Sequence, residues 1–392
     1  MDTIRKYTLP ACFLLVPFAI LSTGLIHISH IYALTISALI ISAAQGGKSA
    51  YLPVGKERKF FLSPGDVIFL FACYVSVWQV VLFIQSLLNK LSPMSALDGL
   101  SAIIFLIVGI VLYQDVVKSE IRLNVFFNII CVSALIQVVL AYFQWGFAVD
   151  PFLYVINLMF KAEQRLAANA ATGTLGNNNY LAAYLAISSP FFSRKYWSWC
   201  LPFIMVIIYA CATSMAVISL GAGALVAGTM LMRDGKIPKQ TYWLSLILVG
   251  VTVIWYAFFY HTIIRGMGRT GYSLERYDMW AYVYAALTYS WQNMIFGMGP
   301  GAAWIRPYPL HSEWVSTAYQ YGLIGAGFMA LFLHRIRTQN LLMLTSTVII
   351  AVNIMGNSAL HFAPQAFLII IVLGLIERER NQEIGPCRKA ER

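Results

Sequence analysis

The sequence predicts an all-α polytopic membrane protein, with about twelve transmembrane helices in a single domain over residues 1–392 and a large outer loop carrying amphipathic helices. Three observations lead there. Of 392 residues, 59% are hydrophobic and 11% charged, and the mean hydropathy of +0.71 lies beyond the range of soluble globular domains. Apolar runs recur along the chain at close to the roughly 20 residues that a membrane-spanning helix needs. Basic residues gather in alternate connections between those runs, as membrane insertion favours. The length leaves no room for a separate soluble catalytic domain. The formal net charge of +11 belongs to the connections, so membrane lipids are expected partners and nucleic acid is not.

Taken in order, the spans run Leu9–Ile26, Ile31–Ala44, Val67–Leu88, Leu97–Tyr113, Val125–Gln144 and Tyr180–Phe192. They continue at Trp197–Ala212, Met215–Met232, Trp243–Tyr260, Val315–Phe332, Leu341–Ile354 and Phe362–Ile376. Arg5 and Lys6 precede the first, but no small-residue cleavage site follows it, so it reads as a retained anchor. A break near Ser214 divides one long apolar run. With both termini in the cytoplasm, 20 of the 27 Lys and Arg fall in inner segments, including five in a tail over 377–392. The outer seven are Lys90, Lys161, Arg165, Arg265, Arg269, Arg276 and Arg306, and six of them occupy two loops, 145–179 and 261–313. Five of the six cysteines lie in or beside apolar segments and Cys387 lies in the tail, which suggests neither a disulfide framework nor a metal cluster.

Chemistry is therefore sought in the two outer loops. The first ends in ATGTLGNNNYLAAYL, where Gly173 and Gly176 permit a tight turn and Asn177, Asn178 and Asn179 can cap the helix that starts near Tyr180. Free amides at a helix start also suit an anion, although spacing alone favours a plain capped re-entry into the membrane. The second loop holds most of the outward ionisable residues. Arg276, Asp278 and Trp280 open an amphipathic stretch suited to the membrane surface, GMGPG breaks it, and Pro307 and Pro309 lead to His311 at the mouth of the next span. Snorkelling to lipid headgroups accounts for Arg265 and Arg306, and on the plain structural reading His311 caps a helix. Arg276 offers a planar, permanent fork for phosphate oxygens, and His311 titrates near neutrality and can accept a hydroxyl proton. Glu313 and Asp278 compete for the role of base.

Some absences narrow the chemistry. The first outer connection is only HISH and carries no carboxylate, so metal-dependent glycosyl transfer with an acidic site there is not expected. His27 and His30 form a pair with no third ligand. No phosphate loop ending in Gly-Lys-Ser/Thr occurs.

The motifs resemble those of the O-antigen ligase and O-antigen polymerase superfamily. GTLGNNNYLAAYL is similar to that family's Gly-Thr-aromatic-Gly-Asn-x-Asn segment. ERYDMW, GMGPG and HSEWVSTAYQYGLIG are similar to its Arg-x-x-x-Trp, Gly-rich and His-containing signatures. The resemblance covers Thr172 to Gly325. It implies a multi-pass protein of the bacterial inner membrane that performs metal-independent, inverting glycosyl transfer at the periplasmic face without a cofactor. The donor would be an undecaprenyl-diphosphate-linked glycan and the acceptor lipid A core or a second lipid-linked glycan. By motif position Arg276 would hold the diphosphate and His311 would act as base, with 261–313 the catalytic periplasmic loop and Arg165, Arg269, Asn177, Asn179 and Glu313 around the substrates. Three departures blur the subfamily. Ala170, Ala171 and Thr172 stand where the family often has an arginine, which leaves Arg165 or Arg269 as the second diphosphate ligand. Ser214, Met215 and Ala216 replace a Ser-Arg-Gly, and Ser312 replaces an asparagine.

The leading expectation is an O-antigen ligase, narrowly ahead of a polymerase, with transfer to a protein acceptor a further possibility. A different class is a twelve-span transporter for an anionic solute, whose related halves and broken or charged midplane helices are not evident in the sequence.

Overall fold

The computed structural model describes residues 64–87; 109–148 apart from 111, 115, 118 and 120; 171–211 apart from 176; 213–255; 271–299; 312–356 apart from 337; and 368–380. The expected spans Leu9–Ile26 and Ile31–Ala44, most of Leu97–Tyr113, and the pair His27 and His30 lie outside these residues. Among the described residues every regular element is helical. Two helices, Leu123–Phe147 and Ser214–Arg233, are long and apolar enough to cross a membrane, and Lys239–Ile254 is shorter but also apolar.

Local chemistry sets the ends. Helix α1 (Pro64–Leu87) opens on a proline, whose missing N–H falls where an amide has no helical partner. Helix α2 (Leu123–Phe147) closes on Ala148 in the left-handed conformation, its N–H returning to the Phe143 carbonyl. Helix α3 (Asn178–Ser188) starts behind the N-cap Asn177 and passes into a 3-10 turn at Ser189–Ser193. A second 3-10 turn leads into α4 (Leu201–Ala210), with Pro202 in its first turn. The expected break near Ser214 is present, because α5 begins there and runs to Arg233. Gly235, at φ 69°, turns the chain toward Pro238 and α6 (Lys239–Ile254). Helix α7 (Gly271–Thr288) and the short α8 (Trp291–Phe296) precede α9 (Glu313–Arg335) and α10 (Leu341–Gly356). Residues 368–380 are also helical.

The main core joins α2, α3, α4 and α10 with the start of α5, helical residues around Leu112–Val116 and the 368–376 segment. Small residues allow the closest approaches, as between other tightly packed apolar helices. A Cβ on Gly223 of α5 would stand 2.7 Å from the Ile349 side chain of α10. Near it, Asn353 donates to the Ser219 hydroxyl at 3.5 Å, and Ser346 donates to the Ile187 carbonyl of α3 at 2.9 Å. At the end of the bundle that carries basic connections, Arg378 donates to the Ile121 carbonyl and stacks over Phe126. Glu379 there accepts from Thr338 and Asn340 at 2.7 and 3.1 Å. Helix α6 instead exposes Trp243, Leu244, Ile247, Leu248, Val251 and Ile254 along its length, a surface that water disfavours and lipid accepts.

Candidate functional site

The Gly-Thr segment expected in an outer loop is a buried turn. Ala171, Thr172, Thr174 and Leu175 are all buried, and Leu175 N–H bonds the Thr172 carbonyl at 3.1 Å. A turn away from water must find partners for its backbone, and α2 supplies them through two glutamines seven residues apart, on one helical face. Gln144 Oε1 accepts from the amides of Thr172 and Gly173 at 2.9 and 2.7 Å, and its Nε2 donates to the Gly173 carbonyl at 2.9 Å. Gln137 Oε1 accepts from the Thr174 amide at 2.9 Å and from its hydroxyl at 3.1 Å. Glycine is required at 173, where φ is +57° and a Cβ would lie 2.4 Å from Gln137 Oε1.

The same turn feeds the start of α3. Asn177 Oδ1 accepts from the Asn179 amide at 2.8 Å. Asn178 Nδ2 donates to the Cys211 carbonyl at 2.9 Å, and Asn179 Oδ1 accepts from the Thr213 hydroxyl at 3.0 Å. The asparagines thus join the beginning of α3 to the break between α4 and α5.

The second region is built from backbone. Helix α9 is not continuous: Gly322 adopts φ 63°, ψ −157° and divides it, in contrast to the unbroken helix expected there. At such a break the carbonyls of the preceding turn lose their helical partners. Met298 N–H bonds the Tyr319 carbonyl at 2.8 Å and Gly299 N–H bonds the Gln320 carbonyl at 3.0 Å. The Tyr74 hydroxyl of α1 reaches the Tyr321 carbonyl at 3.2 Å and the Phe296 carbonyl at 3.1 Å. Glycine is required on both sides, because a Cβ on Gly297 would stand 2.4 Å from the Gln320 carbonyl and one on Gly322 2.3 Å from the Ile295 carbonyl. The first three residues of GMGPG, Gly297 to Gly299, therefore also dock against α9.

Helices α7 and α9 pack through Val283 and Tyr319, with Met279, Ala286, Leu287 and Val315 around them, while α7, α8 and the turn between them expose Tyr282, Tyr284, Tyr289 and Trp291. Arg276 lies in the second turn of α7 and Glu313 is the first residue of α9. His311, Arg165, Arg269, Arg265 and Arg306 lie outside the described residues. The cap of α9 is Ser312 rather than His311, its hydroxyl accepting from the Val315 amide at 3.4 Å. A hydroxyl two bonds from the backbone reaches the amide three residues on, which explains the preference. Of the residues selected from sequence, the structure brings Asn177, Asn178 and Asn179 into one cluster with Thr213 and Cys211.

Sequence reasoning missed Gln137, Gln144, Tyr74 and Gly322. The glutamine pair had a readable signal, being two amides at a seven-residue spacing in an otherwise apolar run. Among the described residues no group of three or more His, Cys, Asp or Glu is placed to hold a metal ion. The chain matches no protein-family model and no curated protein.

Proposed function

We propose that the chain transfers a glycan from undecaprenyl diphosphate to an acceptor hydroxyl at the periplasmic face of a bacterial inner membrane, as an O-antigen ligase with lipid A core as acceptor. On this reading it spans the membrane twelve times with both termini in the cytoplasm. The supporting observation is the packing of α7 on α9. In the sequence Arg276 comes seven residues before Val283, and His311 comes four residues before Val315. Arginine's fork neutralises the diphosphate. His311 takes the acceptor proton as the acceptor oxygen attacks the anomeric carbon, and the carbon–diphosphate bond breaks with inversion. Such chemistry is chiefly positioning and charge stabilisation, and requires no metal or cofactor.

The test is a reconstituted assay with a lipid-diphosphate-linked glycan and a chelator, offering either lipid A core or a second donor. Transfer to core is expected, falling about 100-fold or more in His311→Ala, with donor use weakened in Arg276→Ala and poorly restored in Arg276→Lys. Lengthening on the carrier lipid would identify a polymerase instead, and full activity in His311→Ala would overturn its role.

A carrier for an anionic solute is the second reading, favoured by the break in α9, since transporters bind solutes at discontinuous helices. Against it, the Tyr319, Gln320 and Tyr321 carbonyls at that break already accept from Met298, Gly299 and Tyr74. Solute uptake into sealed vesicles, with no glycan product, would establish the carrier.

A further inference from the structure

We propose that the turn at residues 194–199 binds the phosphate of an anionic phospholipid headgroup at the cytoplasmic end of the bundle, an inference that rests on the membrane-spanning reading above and not on the transfer chemistry. Arg194 is held there by neutral partners. Its Nη1 donates to Asn128 Oδ1 of α2 at 2.9 Å, and its Cζ lies 5.5 Å from the centre of the Phe127 ring. Trp197 Nε1 donates to the same Asn128 oxygen at 3.1 Å, and the Trp197 and Ser198 amides return to the Arg194 carbonyl at 2.8 and 3.0 Å. Phe127 rests in turn on Phe191 at 5.1 Å, and Trp197 meets Phe192 edge-on at 5.9 Å. Both the backbone and the side chain of Arg194 are thereby fixed to the core.

An amide oxygen and a ring face orient a guanidinium without neutralising it. Among the described residues no carboxylate pairs with Arg194, and its remaining N–H donors make no hydrogen bond. A planar fork whose charge is intact suits the paired oxygens of a phosphate. Lys195 beside it is exposed and likewise has no carboxylate partner among the described residues. Lys236, between α5 and α6, differs in being bridged to Asp234 at 3.1 Å. The aromatic residues of the turn favour a lipid over a soluble phosphate. Tyr196 and Trp199 are exposed, with Trp199 Nε1 donating to the Tyr196 carbonyl at 3.0 Å. Rings with an apolar body and a polar tip settle at headgroup depth, and a soluble anion would not need them.

Arg194→Gln keeps a donor for Asn128 and removes the charge. Full-length protein in detergent is titrated with phosphatidylglycerol or phosphatidylcholine, and bound lipid is counted by native mass spectrometry. Affinity for phosphatidylglycerol is expected to fall about fivefold or more in the variant, as the loss of one cation beside a lipid headgroup predicts, with phosphatidylcholine unchanged. Lys236→Gln alters the net charge equally at a cation already paired and is expected to change nothing. An equal fall there overturns the proposal, because diffuse charge would then account for binding. Unchanged affinity in Arg194→Gln overturns it too, as does displacement of the lipid by glycerol phosphate at matched ionic strength, which would reveal a site for a soluble phosphate. Should Arg194→Gln not insert, Lys195→Gln is read the same way, with about twofold weaker binding expected and unchanged binding overturning the proposal. Topology is read separately, by labelling Lys195→Cys against wild type with an impermeant maleimide in sealed vesicles of known orientation. Reaction from the periplasmic side overturns the membrane-spanning reading and the proposal together, whereas reaction from the cytoplasmic side with unaltered lipid affinity in Arg194→Gln overturns the lipid site alone.

Discussion

Two places in this molecule bury irregular backbone among apolar helices, and they satisfy it by opposite means. At Thr172–Thr174 the amides find side-chain carbonyls that α2 sends out through Gln137 and Gln144. At the α9 break the carbonyls of Tyr319 and Gln320 find the amides of Met298 and Gly299 directly, and glycines 297 and 322 let the chains touch. The side-chain solution places its requirement chiefly on the two glutamines of α2, with Gly173 the one position of the turn that also excludes a Cβ. The backbone solution places it on the absence of a Cβ. These two regions should therefore fail under different substitutions.

The largest effect is expected at the backbone contact. Gly322→Ala forces a Cβ to 2.3 Å from the Ile295 carbonyl at a positive φ, and neither chain can retreat without losing bonds. A loss of about 3 kcal/mol or more is expected, seen as a large drop in thermal midpoint and in the yield of monodisperse protein. A wild-type midpoint would show that the two chains are not in contact. Next comes Gln144→Leu, which leaves the buried amides of Thr172 and Gly173 without their acceptor and costs about 2 kcal/mol; if the same assay shows less than a few tenths, water reaches the turn. The smallest effect is Gly327→Ala, five residues beyond the break on the same helix, where nothing lies within 4 Å of the added methyl. Helix propensity makes it neutral or stabilising by up to about 1 kcal/mol, so a cost like that of Gly322→Ala would remove the contrast.

How much of this was legible depends on the range of the interaction. Helix positions came from local hydropathy, and α2, α5 and α9 start within two residues of the expected Val125, Met215 and Val315. The caps at Asn177 and the break before Ser214 were also readable, because the chemistry of a helix end sits in adjacent residues. Gly322 was not. Three glycines, 322, 325 and 327, punctuate the same stretch, and only the partner backbone at 295–297 singles out the first. That partner and Tyr74 are remote in sequence, so no periodicity announces them. The two glutamines fall between these cases, since their spacing gave the face but not the turn they hold. The asparagines of the candidate site are legible by their capping chemistry, while Arg276 and His311 stand out by motif and side-chain chemistry.

The bond from Tyr74 to Tyr321 spans 247 residues, and this has a consequence for biogenesis. The glutamine-held turn joins residues 28 to 37 apart, so it can close as soon as α2 and α3 have left the ribosome. Among the described residues, the carbonyls that accept from the α1 phenol of Tyr74 follow it by 222 and 247 residues. At about 5–20 residues per second, its partner carbonyl is synthesised roughly 12 to 50 s later. On the membrane-spanning reading proposed above, the Tyr74 and Trp78 polar groups must in that interval be sheltered by each other, by the insertion machinery or by the membrane interface. Synthesis halted before residue 321 should then leave α1 accessible to crosslinking from the insertion machinery, and release it only when the second half of the chain arrives.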